Sequence, residues 1–179
     1  MANLCDFFDV IGDETSCTEN FSGVGKQLFL FKGSDLAEKP TYDDASAGFS
    51  PDSFTFKEGK GAYKVDLKRQ TGKVDYTSTP DGGGFTNTFT GTVASNMDKF
   101  SHLSRALNNL GDWGAMVSDG ADGYYVIYDS NFVTTFNSEG TTGDTPDSDH
   151  GHNLTIACGP MRYPLAKWKG ALTVLSEQA

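Results

Sequence analysis

The stretch AYKVDLKRQTGKVDYTSTPDGGGFTNTFTGTV, residues 62–93, decides the fold. Tyr63, Val65 and Leu67 alternate with Lys64, Asp66 and Lys68, the two-residue period of a half-buried strand. After Thr71 and Gly72 the period resumes, with Val74 and Tyr76 on one side and Lys73, Asp75 and Thr77 on the other, so a β-hairpin is the economical expectation. Residues 80–84, PDGGG, suit only a loop. Phe85, Phe89 and Val93 then alternate with Thr86, Thr88, Thr90 and Thr92, whose β-branched side chains fit the pleat while keeping one face polar.

Toward the N-terminus, Leu28, Phe29, Leu30 and Phe31 run together, the pattern of a strand covered on both faces. Residues 33–61 depart from strand periodicity: they contain Pro40, Pro51 and several acids, and only Phe54 and Phe56 alternate strongly. An extended excursion or long hairpin arm is expected there. Toward the C-terminus, Met97, Phe100, Leu103, Leu107 and Leu110 recur at steps of three and four, with Ser95 and Asp98 in capping-box positions and Gly111 as the stop. That helix is expected to lie across a sheet face or edge.

Strands are then expected at 113–117, 124–128 and 132–136, spaced as a meander, followed by a polar loop at 138–151 and a last strand at 152–158. The tail carries Trp168, Leu172, Val174 and Leu175, which must dock on their own domain or on a neighbouring subunit. The sum is one mainly β domain over residues 1–179, a β-sandwich or partial barrel with one flanking helix. Its arms are an N-terminal one over about 1–24, a loop or hairpin over about 33–61 and a C-terminal one over about 165–179.

Composition agrees with a folded, water-facing chain. Of 179 residues 37% are apolar, including 13 Phe and 7 Tyr, enough to build a core. No apolar run approaches the roughly 20 residues that cross a bilayer as a helix. Fourteen Lys and Arg stand against 24 Asp and Glu, a net charge of −10, which disfavours tight phosphate binding and attraction to anionic membranes. Neither a signal-peptide pattern nor a membrane anchor is visible, so synthesis in a cytoplasm is expected. Cys5, Cys17 and Cys158 cannot all pair and lack zinc-site spacing.

Chemistry-bearing clusters are sparse. Asp147, Asp149, His150 and His152 combine carboxylate and imidazole within six positions, but no second ligand group or HExxH helix accompanies them, and a solvated loop is the simpler account. The turn at 119–123 lacks the calcium-loop spacing and its final Glu. No GxSxG elbow occurs, and Cys158 with a distant His102 is a pair that almost any chain offers. Gly82, Gly83 and Gly84 precede no phosphate-cradling helix. Trp113, Tyr124, Tyr125, Tyr128 and Trp168 could stack on a sugar, yet their strand positions are those expected to fill a core. No enzyme activity, metal or cofactor is expected.

The order of parts resembles the tail tube proteins, or major tail proteins, of long-tailed, siphovirus-like bacteriophages. The likeness rests on the 33–61 excursion, the strands ending in TNTFTGTV, the helix MDKFSHLSRALNNLG, the following WGAMVSDGADGYYVIY, and the late GTTGDTPDSDHGHNLTIACGP. It spans roughly residues 25–164, and none of its motifs is diagnostic alone. Membership would imply a β-sandwich with a flanking helix, similar to the tube proteins of contractile injection systems. Six copies would close a ring around a continuous inner barrel, and stacked rings would conduct the genome in a virion tail, joined to other tail proteins at its ends.

On that resemblance, the polar strand faces of 62–93 offer Lys64, Asp66, Lys68, Lys73, Asp75, Thr86, Thr88 and Thr90 as lumen residues. Phe54, Phe56, Trp168 and Leu172, on arms with few apolar partners of their own, would be contacts between subunits. A conduit should hold DNA weakly, as an acidic lumen would. Acids cluster in residues 1–19 and 119–149, which contain no Lys or Arg, whereas the expected hairpin carries Lys64, Lys68, Arg69 and Lys73 against Asp66 and Asp75. The alternatives are a capsid decoration or tail-terminator subunit, and a carbohydrate-binding β-sandwich.

Overall fold

The computed structural model describes residue 24 and residues 27–68, 70–80, 82–93, 97–109, 112–119, 123–141 and 151–175. It is mainly β, with several antiparallel sheets and one short helix, and no closed barrel among the described residues. The strands are β1 (Gln27–Lys32), β2 (Tyr42–Asp43), β3 (Gly48–Phe49), β4 (Tyr63–Asp66), β5 (Lys73–Ser78) and β6 (Phe85–Val93). After helix α1 (Met97–Asn109) come β7 (Trp113–Ser118), β8 (Tyr124–Ile127), β9 (Thr135–Thr141), β10 (Gly151–Met161) and β11 (Lys167–Trp168). A five-stranded sheet has the order β11-β8-β7-β1-β4, a four-stranded sheet β5-β6-β10-β9, and β2 pairs with β3. Both larger sheets contribute to one buried apolar cluster. Among the described residues no helix is long and apolar enough to cross a membrane.

The expected hairpin at 63–78 does not form. β4 pairs with β1, Tyr63 opposite Leu30 and Val65 opposite Leu28, whereas β5 pairs with β6 in the other sheet. The chain changes sheets at a corner. Leu67 bridges to Val93, the Lys68 amide donates to the Thr92 carbonyl at 2.7 Å, and Thr71 Oγ1 donates to the Lys68 carbonyl while accepting from the Thr92 amide. Gln70 takes a left-handed φ of 62° to turn it. At Gly72 a Cβ would lie 2.4 Å from Val24 Cγ2, so a larger residue would have to displace that side chain. Alternation continues on both sides of such a corner and cannot distinguish it from a hairpin.

The expected meander is likewise split. β7 and β8 do form a hairpin, Ala115 opposite Ile127, but the third strand begins at Thr135, not at 132, and belongs to the four-stranded sheet. Asp129 shapes the crossover: its Oδ1 accepts from the Asn131 amide at 2.8 Å and from Asn131 Nδ2 at 3.1 Å. Phe132 and Val133, read as strand, are exposed on this crossover. β9 takes up 138–141, expected as loop, and the β10 strand extends past 158 to Met161 with a bulge after Cys158. The expectations at Ser95, Leu110 and Gly111 lie outside the described residues. Within α1, Leu107 is buried and Leu103 packs on the core, and the helix runs against β9, the sheet edge.

The excursion at 33–61 is not a free arm. Phe31 of β1 meets Phe54 and Phe56 edge-on at ring-centroid distances of 5.7 and 6.1 Å, and Phe54 meets Trp168 at 5.3 Å. Phe54 is 2% exposed and Trp168 1%, within this one chain. Both were expected to be left for a neighbouring subunit, and that expectation is corrected: their partners are simply distant in sequence. Phe56 and Leu172 are half-buried against the same core. The tail is tied in by its backbone, the Ala62 amide donating to Thr173 and the Leu175 amide to Ala62, each at 2.9 Å. Burial of each large side chain contributes about 1.5–3 kcal/mol.

Candidate functional site: a polar sheet face

The alternation in β6 sets one face of the four-stranded sheet. Asn87, Phe89, Gly91 and Val93 are buried, while Thr86, Thr88, Thr90 and Thr92 are half-exposed on the opposite side. Strand register extends the threonine side across all four strands. Lys73, Thr90, Thr155 and Asn137 form one row, Asp75, Thr88, Ala157 and Thr135 the next, and Thr92, Asn153 and Glu139 a third. Ala157 is the sole apolar residue in these rows. On the reverse, Phe89, Val93, Leu154, Ile156 and Cys158 are buried.

The face is internally hydrogen-bonded without being closed to solvent. Thr92 Oγ1 donates to Asn153 Oδ1 at 2.9 Å, Thr135 Oγ1 to the Ala157 carbonyl at 3.1 Å, and Asn137 Nδ2 to Glu139 Oε1 at 3.4 Å. Lys73 Nζ lies 2.8 Å from Asp75 Oδ2, an exposed pair worth little on its own. One lysine thus faces two carboxylates in these rows, leaving Glu139 without a cationic neighbour in its row. The outer edges of β5 and β9 have no strand partner among the described residues. These two edges run antiparallel to each other, since two strands separate them in an all-antiparallel sheet.

Of the residues singled out in the sequence, Lys73, Asp75, Thr86, Thr88 and Thr90 meet on this face. Lys64 and Asp66 do not: they pair with each other at 3.3 Å on β4, the edge of the other sheet, and Lys68 sits in the corner between sheets. Assigning all eight to one surface assumed the hairpin that the fold lacks. Thr135, Asn137, Glu139, Asn153 and Thr155 complete the face and were missed; polar and apolar residues alternate in NLTI, but Ser138 breaks the alternation in TFNSE.

Other chemistry finds no cluster. Asp147, Asp149 and His150 lie outside the described residues, and among the described residues no three His, Cys, Asp or Glu gather as for a metal. His152 is buried. Burial pushes the Cys158 thiol above its ordinary range, the reverse of what a nucleophile needs. Burial, with the hydrogen bond from Tyr42 to Asp129 Oδ2 at 2.9 Å, also raises the Tyr42 hydroxyl, and burial with the neighbouring Asp112 raises that of Tyr128. Trp113, Tyr128 and Trp168 are core residues, and Tyr124 and Tyr125 are half-buried.

No protein-family model, curated protein or solved structure matches this chain.

Proposed function

We propose that the protein is a tail tube subunit of a long-tailed bacteriophage, a ring-forming β-sandwich whose four-stranded sheet lines a conduit for DNA. One observation carries the proposal: a sheet with one face polar but for Ala157, a largely apolar reverse and two antiparallel edges that have no strand partner among the described residues. A strand whose side chains alternate polar and apolar is what a barrel with a wet interior requires. Exposed edges invite pairing, and closure into a ring removes them. The contact is heterologous, edge β5 on one copy and edge β9 on the next, so it repeats until the ring closes, on this reading at six copies.

The polar face suits passage better than retention. Threonine and asparagine offer phosphate only neutral partners, the single lysine is held by Asp75, and Glu139 adds repulsion. The order of sequence elements supports the same family, in which the subunit would stand in the virion tail after synthesis in the host cytoplasm, with other tail proteins at the tube ends. No catalytic step and no cofactor is part of the proposal. Negative-stain images of the purified protein, over a range of concentrations, test it. Annuli or tubes are expected; a protein that stays monomeric at high concentration would overturn it, and closed rings or trimers that never stack would favour a terminator or decoration subunit. The sugar-binding alternative loses its platform, because the tryptophans it needs are core residues.

A further inference from the structure

From the two edges of the polar sheet that have no strand partner among the described residues we infer the register in which one copy pairs with the next: Lys73 of β5 opposite Glu139 of β9, Asp75 opposite Asn137, Tyr76 opposite Phe136 and Thr77 opposite Thr135. The inference rests on the ring-forming reading above and specifies its partner surface.

Three constraints select this register. The first is the pleat. Val74 and Tyr76 share a face with Phe136, and Lys73 and Asp75 share the opposite face with Asn137 and Glu139, so only offsets by an even number of residues keep polar with polar. The second is closure. Within one copy, the hydrogen-bonded row from Lys73 passes through Thr90 and Thr155 to Asn137. If Asn137 then paired with Lys73 of the next copy, the row would circle back to its starting level and the barrel would have no stagger, whereas closed barrels need tilted strands and a finite shear. Pairing Asn137 with Asp75 instead advances the row by two residues at each junction.

The third constraint is charge. In the inferred register the carboxylate of Glu139, which has no cationic neighbour in its own row, meets Lys73, already 2.8 Å from Asp75, and Asn137 already donates to Glu139, so the junction joins these four side chains in one network. Moving two residues further would set Asp75 against Glu139, like charges directly opposite, which is destabilising. Moving two residues the other way from the unstaggered junction would set Asp75 against Val133, 68% exposed and outside the strand. Only the inferred offset also brings Tyr76, 52% exposed at its edge beside Phe85, against the half-buried Phe136, an aromatic cross-strand pair.

Paired cysteines read the register directly. Within one chain Thr77 and Thr135 stand three strand spacings apart, about 14 Å, too far for a disulfide, so any bond between them joins two copies. With Cys5 and Cys17 replaced by Ser and Cys158 kept in the core, the assembled T77C/T135C protein is oxidised alongside D75C/T135C, which reports the unstaggered register. A ladder of covalent multimers from T77C/T135C alone is expected. Multimers from D75C/T135C instead would overturn the register and leave edge pairing standing. Annuli that form without a crosslink in either variant would overturn the inferred register, and a monomer in every variant and in the parent would overturn the ring-forming reading itself. In a second measurement, K73E and E139K should each shift assembly to several-fold higher protein concentration, and K73E/E139K should restore it; loss of assembly in the double variant, with parental circular dichroism, would sink the charge pairing.

Discussion

The indole of Trp168 donates to the carbonyl of Pro51 at 2.8 Å, across 117 residues of sequence. This bond fixes the C-terminal segment to the long excursion after β1, and the ring contacts from Trp168 to Phe54 and from Phe54 to Phe31 carry the attachment into the five-stranded sheet. Two segments with too few apolar residues to fold alone thereby supply each other's cover.

Trp168→Ala should therefore destabilise the protein by about 3–5 kcal/mol, the usual range for emptying a large aromatic site. Trp168→Phe keeps most of the packing but strands the Pro51 carbonyl, costing about 1–3 kcal/mol. Urea denaturation of both variants measures this. A loss under about 1 kcal/mol for the alanine variant would mean that the two segments are not held together as described.

Asn87 should be similarly intolerant for a polar reason. It sits among threonines in β6 but faces inward and is fully buried, its Oδ1 accepting from the Leu165 amide at 3.1 Å and its Nδ2 donating to the Tyr163 carbonyl at 3.3 Å. Asn87→Leu adds apolar bulk where the sequence pattern favours it, yet leaves two backbone groups unpaired at about 1–3 kcal/mol each. A lowered midpoint in urea is expected for this variant, and no change for Thr88→Val on the open face.

Asn87 also shows what the sequence could reveal. The period-two alternation around it marks the strand and both its faces, because each side chain's direction follows from its neighbours alone. The partner that makes an amide welcome inside, a backbone 78 residues away, leaves no local trace. The same distinction separates the threonine row, legible at once, from the corner at Leu67, where only the bridge to Val93 tells a change of sheet from a hairpin. It also separates the recognised aromatics Phe54 and Trp168 from their placement: exposed-looking segments became core through contacts spanning over a hundred residues.

Stability should fall on the alkaline side. The hydroxyls of Tyr42 and Tyr128 are raised above their ordinary value of 10.0 in the fold, by burial first and then by Asp129 and Asp112 respectively. The unfolded chain releases these protons near pH 10 while the folded chain keeps them, so the unfolded state binds fewer protons and stability drops as pH rises above that point. Below it the contribution is complete. Unfolding free energies of the parent, Tyr42→Phe and Tyr128→Phe across pH 8–11 would show the steepest alkaline decline in the parent; equal slopes in all three would remove these tyrosines from the account.

If the polar face lines a DNA conduit, as proposed, cations placed on it should turn a passage into a trap. Thr88 and Thr90 lie at the middle of that face, half-exposed and with Asp75 and Lys73 as cross-strand neighbours. Arginine at either site touches no core residue, so folding stability should stay within about 0.5 kcal/mol of the parent. If the face lines a conduit, T88R/T90R places added positive charge around any DNA inside, and each phosphate neutralised adds about 0.9 to the slope of log affinity against log salt. Assembled T88R/T90R should retain short duplex DNA at low salt and release it as salt rises, while the parent retains little at any salt. Assembled T88R/T90R with no gain in retention would count against the proposed lining of a DNA conduit by this face.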